Sequence, residues 1–197
     1  MEFANPEDKQ YVDITKKPKF LRDAIKLTKA EIGTATHLIL QNLDLKLNYD
    51  EGQLKLLIDN MVQKEIIARQ EAEAISINEI LKFTKTELYS RIQKAKKVFK
   101  EQPFYLSIPV KELHGIDVNE SILVQGVIDL YFIDENDNIV LVDYKTNYVE
   151  NDKEEELVKR YEKQLDIYKR AIEEVANKPV KEAYIYSTHL SKEILFT

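Results

Sequence analysis

The chain has 197 residues, 44% of them hydrophobic, enough to bury one good core, and its net charge of −6 argues against a protein that grips nucleic acid mainly through bulk electrostatics. With no cysteine it can form neither a disulfide nor a cysteine-ligated zinc or iron-sulfur cluster. It also shows no run of eighteen apolar residues, no basic-then-apolar leader and no GxxxxGK[ST] phosphate loop, so the expectation is one cytoplasmic domain, residues 1 to 197, with no membrane association and no ATPase motor of its own.

Residues 1 to 27 begin polar and irregular, with Pro6 and Pro18 against a continuous helix and a basic KKPK patch at Lys16 to Lys19. They read as a solvated lead-in packing Phe20 and Leu21 on the core, or as a phosphate-contacting edge. Thr28-x-x-Glu31 has the form of a capping box and opens a helix over residues 28 to 46, with Ile32, Thr36, Ile39 and Leu43 as its apolar stripe. His37 falls instead on the stripe of Gly33, Gln41 and Asp44, where the small residue one turn earlier permits a close approach. On spacing alone it reads as a structural or exposed histidine.

Residues 50 to 100 read as a helical insertion. A helix is expected from Gln53 to about Glu73, and two further capping boxes stand at Ser76-x-x-Glu79 and Thr84-x-x-Glu87. The second opens a helix carrying Leu88, Ile92, Ala95 and Phe99. The cluster Lys94, Lys96, Lys97 and Lys100 is a wet helix face or a patch facing DNA.

Residues 101 to 197 carry the sheet. Phe104, Leu106, Ile108 and Val110 alternate as an amphipathic strand, and Pro109 within it suggests an edge or a bulge. From 122 to 132 Ile122, Val124, Ile128, Leu130 and Phe132 share one face and Asp129 the other. The turn DENDN, Asp134 to Asn138, then returns the chain as a strand in which Asp143 and Lys145 share a face. If Ile133 pairs with Ile139 across a five-residue loop, Asp129 lies directly opposite Asp143.

Cross-strand neighbours have Cβ atoms about 4.5 to 5.5 Å apart, and like charges there need a proton or a cation between them. A divalent metal is the economical answer, with Lys145 one pleat further along and able to reach an anion held by it. Beyond a charged linker, a helix from about residue 153 to 176 buries Leu157, Tyr161, Leu165, Tyr168, Ile172 and Val175. Gln164 and Tyr168 face one way from it, and 180 to 188 suits a buried strand beside the hairpin.

VQGVIDL, LVDYKT and Gln164-x-x-x-Tyr168, with KPKFL (Lys17 to Leu21), GTATH (Gly33 to His37) and EQPF (Glu101 to Phe104), resemble the RecB-like nucleases of the PD-(D/E)XK superfamily over nearly the whole chain. Asp129 follows Ile128 where that family has Pro-Asp, and Asp143-Tyr144-Lys145 supplies the D-x-K. The likeness implies an α/β restriction-endonuclease-like fold, with a mixed central sheet flanked by helices. It implies a Mg²⁺-dependent deoxyribonuclease, with Mn²⁺ able to substitute and without the four-cysteine cluster of some relatives. His37, Asp129, Asp143 and the backbone carbonyl of Tyr144 become metal ligands, Lys145 the catalytic lysine, and Gln164 and Tyr168 the border of the pocket and the DNA path. Glu101 matches a family carboxylate and is a helper near the site, or simply a charge at a helix end.

The resemblance is to the C-terminal part of helicase-nuclease subunits of Gram-positive bacteria. It therefore implies three partners: DNA, the helicase portion of the same polypeptide, and a second subunit. A non-catalytic DNA-binding or subunit-contact domain, and a free-standing repair or phage exonuclease, are the competing readings.

Overall fold

A computed structural model describes residues 27–114, 118–147 and 154–196. The lead-in with Lys16 to Lys19 and KPKFL lies outside the described residues. Helix α1 spans Lys29–Asn42, and its capping box is made in full: Thr28 accepts from the Glu31 amide while the Glu31 carboxylate accepts from the Thr28 amide. Helices α2 (Glu51–Gln63), α3 (Arg69–Ala74), α4 (Ile77–Phe83) and α5 (Glu87–Lys94) follow.

Strand β1 (Lys97–Pro109) leads through a short helix α6 (Val110–His114) to β2 (Ser121–Ile133) and β3 (Ile139–Lys145). The long helix α7 (Glu154–Ala176), then β4 (Val180–Ser187) and β5 (Lys192–Phe196), complete the described chain. The five strands lie in the order β1-β2-β3-β4-β5, antiparallel except for β3 beside β4, where α7 makes the crossover that a parallel pair needs. Every residue of the central β3 is buried, as expected for a strand covered on both faces.

Several expectations shift. The helix drawn through residues 53 to 73 is two helices, because Glu65 turns left-handed (φ 57°) and Ala68 restarts the chain with its amide donating to Glu71. Thr84 closes α4, and it is Thr86 that caps α5 by accepting from the Tyr89 amide. Helix α5 buries Leu88 and Ile92 but stops at Lys94: the Lys96 amide donates to the Ile133 carbonyl, the chain joins the sheet edge, and Phe99 stacks on Tyr131 instead of continuing a helical stripe. The four lysines therefore share no helix face. Lys96 pairs with Asp137, Lys97 lies over the Phe99 ring, and Lys100 donates to the carbonyls of Gln41 and Leu43 at the end of α1.

Strand β1 ends at Pro109, so Val110 falls outside the alternating strand, and the proline sits on the edge of the sheet where it costs no ladder bond. Ile122 is exposed, Val175 lies 85% exposed in the last turn of α7, and β5 is an additional strand.

Two hydrophobic cores sandwich the sheet. Helices α1 to α5 pack with Leu130, Phe132, Val140, Val142 and Tyr144, while α7 packs with Ile139, Leu141, Phe104, Leu106, Ile108 and Ile128. Neighbours in β3 alternate between the cores, as a pleated strand must. In β2, however, Ile128 and Leu130 are two apart and enter different cores, and in β1 Val98 packs with the first core while Phe104 enters the second. The alternation slips at Glu101 and Asp129. Glu101 has φ 49°, the left-handed region that side chains other than glycine rarely adopt, and this residue makes the twist in β1.

Candidate active site

The five-residue turn sets the register of the site. Asp134 accepts from the amides of Asn136 and Asn138 and from the Asn138 side chain, and Ile133 pairs with Ile139 as the spacing required. Pairing continues to Leu130 with Val142 and stops there, one residue short of Asp129 and Asp143. On the other side of β2, Lys100 pairs with Leu130 and Gln102 with Ile128, which leaves Glu101 facing Asp129. Glu101, Asp129 and Asp143 therefore stand at a rung across β1, β2 and β3 where no pair is formed.

That rung is where both ladders open. Instead of a partner strand, Asp129 Oδ2 accepts from the Tyr144 amide at 2.8 Å and lies 3.0 Å from His37 Nε2. Helix α1 delivers His37 by approaching the end of β3 closely: a Cβ on Gly33 would stand 2.7 Å from Thr146 Oγ1. The Tyr144 ring meets His37 edge-on at 5.9 Å and Phe83 at 5.3 Å, which props the imidazole from the first core. Gln41 Nε2, one turn along α1, lies 2.9 Å from His37 Nδ1.

Ligand atoms of His37, Glu101 and Asp129 lie within 4.8 Å of one another. Asp143 stands beside them without completing that group. It is 1% exposed; Lys145 Nζ lies 2.5 Å from its Oδ2 as an ion pair, while its Oδ1 is buried without a hydrogen-bond partner. Glu101 Oε1 is likewise buried without a hydrogen-bond partner. Orphaned acceptors of this kind are costly, and a cation satisfies them.

The electrostatics point the same way. Burial pushes the Asp143 carboxyl up to about 6, with Lys145 pulling against it and Asp129 adding to the rise. Burial and then the charge of Asp129 raise Glu101 as well. For His37, burial pulls the imidazole down, but the hydrogen bond and charge of Asp129, with Glu101 and Asp143, more than reverse it. Each of these three groups is shifted towards its protonated form, through burial for the two carboxyls and through the neighbouring carboxylates for the imidazole. An oxygen-rich set with one imidazole fits a divalent cation, and the residues present suit it.

The cationic and polar groups come from the α7 side. Lys145 shares a face with Asp143, as their spacing predicted, and its ammonium lies 4.4 Å over the ring of Tyr161. Tyr161 also donates to Asn147 Oδ1. Sequence spacing gives no sign of its approach to Lys145, although Tyr161 stands one turn before Gln164 on α7. Gln164 Nε2 donates to Tyr168 Oη at 2.7 Å, and burial, reinforced by Asp143 and Asp129, raises the Tyr168 hydroxyl so that it keeps its proton to donate. Glu101, expected to assist at the margin, sits among the candidate ligands. Its backbone twist could not be read from EQPF.

A mixed sheet flanked by helices, with acids on adjoining central strands and a lysine two residues after the second, defines a nuclease fold of the restriction-endonuclease type, and the chain belongs to the PD-(D/E)XK nuclease superfamily, which residues 11–194 match. More particularly, it is 39% identical over 190 residues to the A subunit of the ATP-dependent helicase/nuclease of Clostridium novyi (strain NT), covering 92% of this chain and 15% of that protein. It is 41% identical over 180 residues to the protein of the same name from Clostridium acetobutylicum, covering 88% of this chain and 14% of the relative. The counterpart from Thermoanaerobacter sp. (strain X514) is 40% identical over 179 residues, again at 88% and 14%. The chain thus spans about a seventh of the length of these relatives. Among the described residues no helix is long and apolar enough to cross a membrane.

Proposed function

We propose that this chain is the metal-dependent exonuclease domain of a helicase-nuclease subunit of the AddA type, hydrolysing phosphodiester bonds of DNA at double-strand ends during recombinational repair in the bacterial cytoplasm. The helicase portion of the same polypeptide and an AddB-type second subunit would be its partners. The observation that carries the reading is the gathering of His37, Glu101 and Asp129, with the unpartnered buried Glu101 Oε1 and Asp143 Oδ1 and the Asp143–Lys145 ion pair beside it. The relatives' printed name and the small share of their length that the chain covers support a piece of a larger machine over a free-standing exonuclease.

His37, Glu101, Asp129 and Asp143, with the backbone carbonyl of Tyr144, would hold Mg²⁺, or Mn²⁺ in its place. When bound, the cation lowers the pKa of water and neutralises charge building on the phosphate. The chain's own residues do the rest. Lys145, steadied between Asp143 and the Tyr161 ring, directs its ammonium at the attacking water or at the phosphate oxygens, where negative charge grows in the transition state. Tyr168, its oxygen already accepting from Gln164, keeps its O–H for a phosphate oxygen or a base along the DNA path.

The acidic balance of the chain favours the other reading, a non-catalytic DNA-binding or subunit-contact domain. Incubation with linear DNA and Mn²⁺ separates the two. Cleavage is expected, and Asp143→Ala and Lys145→Ala should abolish it while circular dichroism remains native. Undiminished cleavage by either variant refutes catalysis at this rung.

A further inference from the structure

The side chain one turn beyond His37 has no part in the roles just assigned, yet its contact constrains which atom of the imidazole can meet a cation. Gln41 Nε2 lies 2.9 Å from His37 Nδ1, and His37 Nε2 lies 3.0 Å from Asp129 Oδ2. An amide nitrogen can only donate, so Nδ1 must offer its lone pair, and a carboxylate oxygen accepts, so Nε2 must carry the proton. Both contacts specify the same neutral tautomer. In that tautomer Nε2, the nitrogen aimed at Asp129, has no lone pair for a cation. A ligating imidazole needs the opposite arrangement, with the proton on Nδ1 and an acceptor facing it.

Gln41 has that acceptor on the same group. A half-turn of its terminal torsion, which is broad and roughly two-fold, exchanges nitrogen for oxygen at an almost unchanged position. The backbone need not move, because Lys100 donates to the Gln41 and Leu43 carbonyls and holds the end of α1 against β1. Gln41 also lies against Glu101 and draws its pKa down, although Glu101 Oε1 itself has no hydrogen-bond partner. The amide is thus placed between two candidate ligands.

We propose that Gln41 is a positioning residue whose amide sets the tautomer of His37: it donates to Nδ1 while the site holds no cation, and turns over to accept from Nδ1 when a divalent cation takes Nε2. The inference rests on reading His37 as a ligand and deepens that reading by naming the group that makes ligation possible. Outer partners of ligating histidines typically change metal affinity by about 10- to 100-fold when removed.

The test uses the ¹⁵N-labelled chain and the long-range proton-nitrogen NMR spectrum of its histidine rings. At a pH above the raised imidazole value, the metal-free chain should show His37 in the Nε2–H form, and addition of Mg²⁺ should convert it to the Nδ1–H form. Gln41→Leu should mix the tautomers and weaken Mn²⁺ binding in calorimetry by about 10-fold or more. Gln41→Glu, which can only accept at that position while Asp129 accepts at Nε2, should leave both nitrogens of His37 protonated without metal, convert to the Nδ1–H form when Mg²⁺ is added, and keep the affinity. A metal-free native chain already in the Nδ1–H form overturns the proposal, as does a Gln41→Leu chain with unchanged tautomer and affinity. If His37→Ala itself leaves Mn²⁺ affinity intact, the ligand reading fails and takes this inference with it. If His37→Ala weakens binding and Gln41→Leu does not, only the role of Gln41 is lost.

Discussion

Replacing Glu101 separates what its carboxylate does from what its backbone does. At φ 49° a non-glycine residue is destabilised by about 1 to 2 kcal/mol through the approach of its Cβ to the following carbonyl oxygen, and glycine escapes this. In an ordinary strand the ranking is reversed, with glycine about 0.5 to 1 kcal/mol worse than alanine. Both Glu101→Gly and Glu101→Ala remove the unpartnered buried Oε1 and the repulsion with Asp129, so the difference between them isolates the backbone. In urea denaturation with EDTA present, Glu101→Gly should be more stable than Glu101→Ala by about 1 kcal/mol, equivalent to roughly 2 to 4 °C in Tm for a chain of this size. Glu101→Gly should also exceed the native chain, and both variants should bind Mn²⁺ more weakly. Alanine equal to or better than glycine would refute the argument that a left-handed residue at this rung makes the strand change face.

The pH dependence of the metal-free chain follows from the same crowding. Asp143 is raised on folding, so between its ordinary value near 4 and about 6 the folded chain binds more protons than the unfolded one, and stability falls as pH rises through that window by an amount on the order of 3 kcal/mol. His37, also raised, adds a loss that continues as pH passes the ordinary imidazole range. Denaturation from pH 4 to 8 in EDTA should show this decline, and Mn²⁺ should stabilise the chain at pH 7.5 but little at pH 4.5; stability that climbs over the same range would contradict it. At Gly33, alanine should fail to bring the roughly 1 kcal/mol gain usual inside a helix, because its Cβ meets Thr146 Oγ1. The bulkier Gly33→Val should push α1 outward and weaken Mn²⁺ binding, and thermal denaturation with a metal titration reads both effects.

The hairpin was legible in the sequence because its determinants are local. Asp134 and its neighbours fix a five-residue turn, and once Ile133 meets Ile139 the faces of Asp143 and Lys145 follow from a period of two. Helix α1 was legible for the same reason, since Thr28 and Glu31 are three residues apart and cap each other. The position of Glu101 was not, because it depends on a competition between a helical pattern through Leu88 and Ile92 and the open edge of β2. The edge captured the chain two residues after α5, and Phe99, which fits the helical spacing, stacks on Tyr131 instead. Val175 obeys the apolar period of α7 but emerges into solvent, since periodicity assigns a face and says nothing about where the partner surface stops. The contact between Lys145 and Tyr161 joins a strand end to a helix sixteen residues on, and neither residue alone announces it.

Because the side-chain alternation slips at Glu101 and Asp129, the three acids lie along a seam between two separately packed bodies, one built on the first five helices and the other on α7. A seam couples what it joins. Loosening either body, even by trimming a methyl group far from the acids, would alter their spacing from opposite sides, and hydrogen exchange at the amides of Tyr144 and Gln102 would register strain arriving from each half independently.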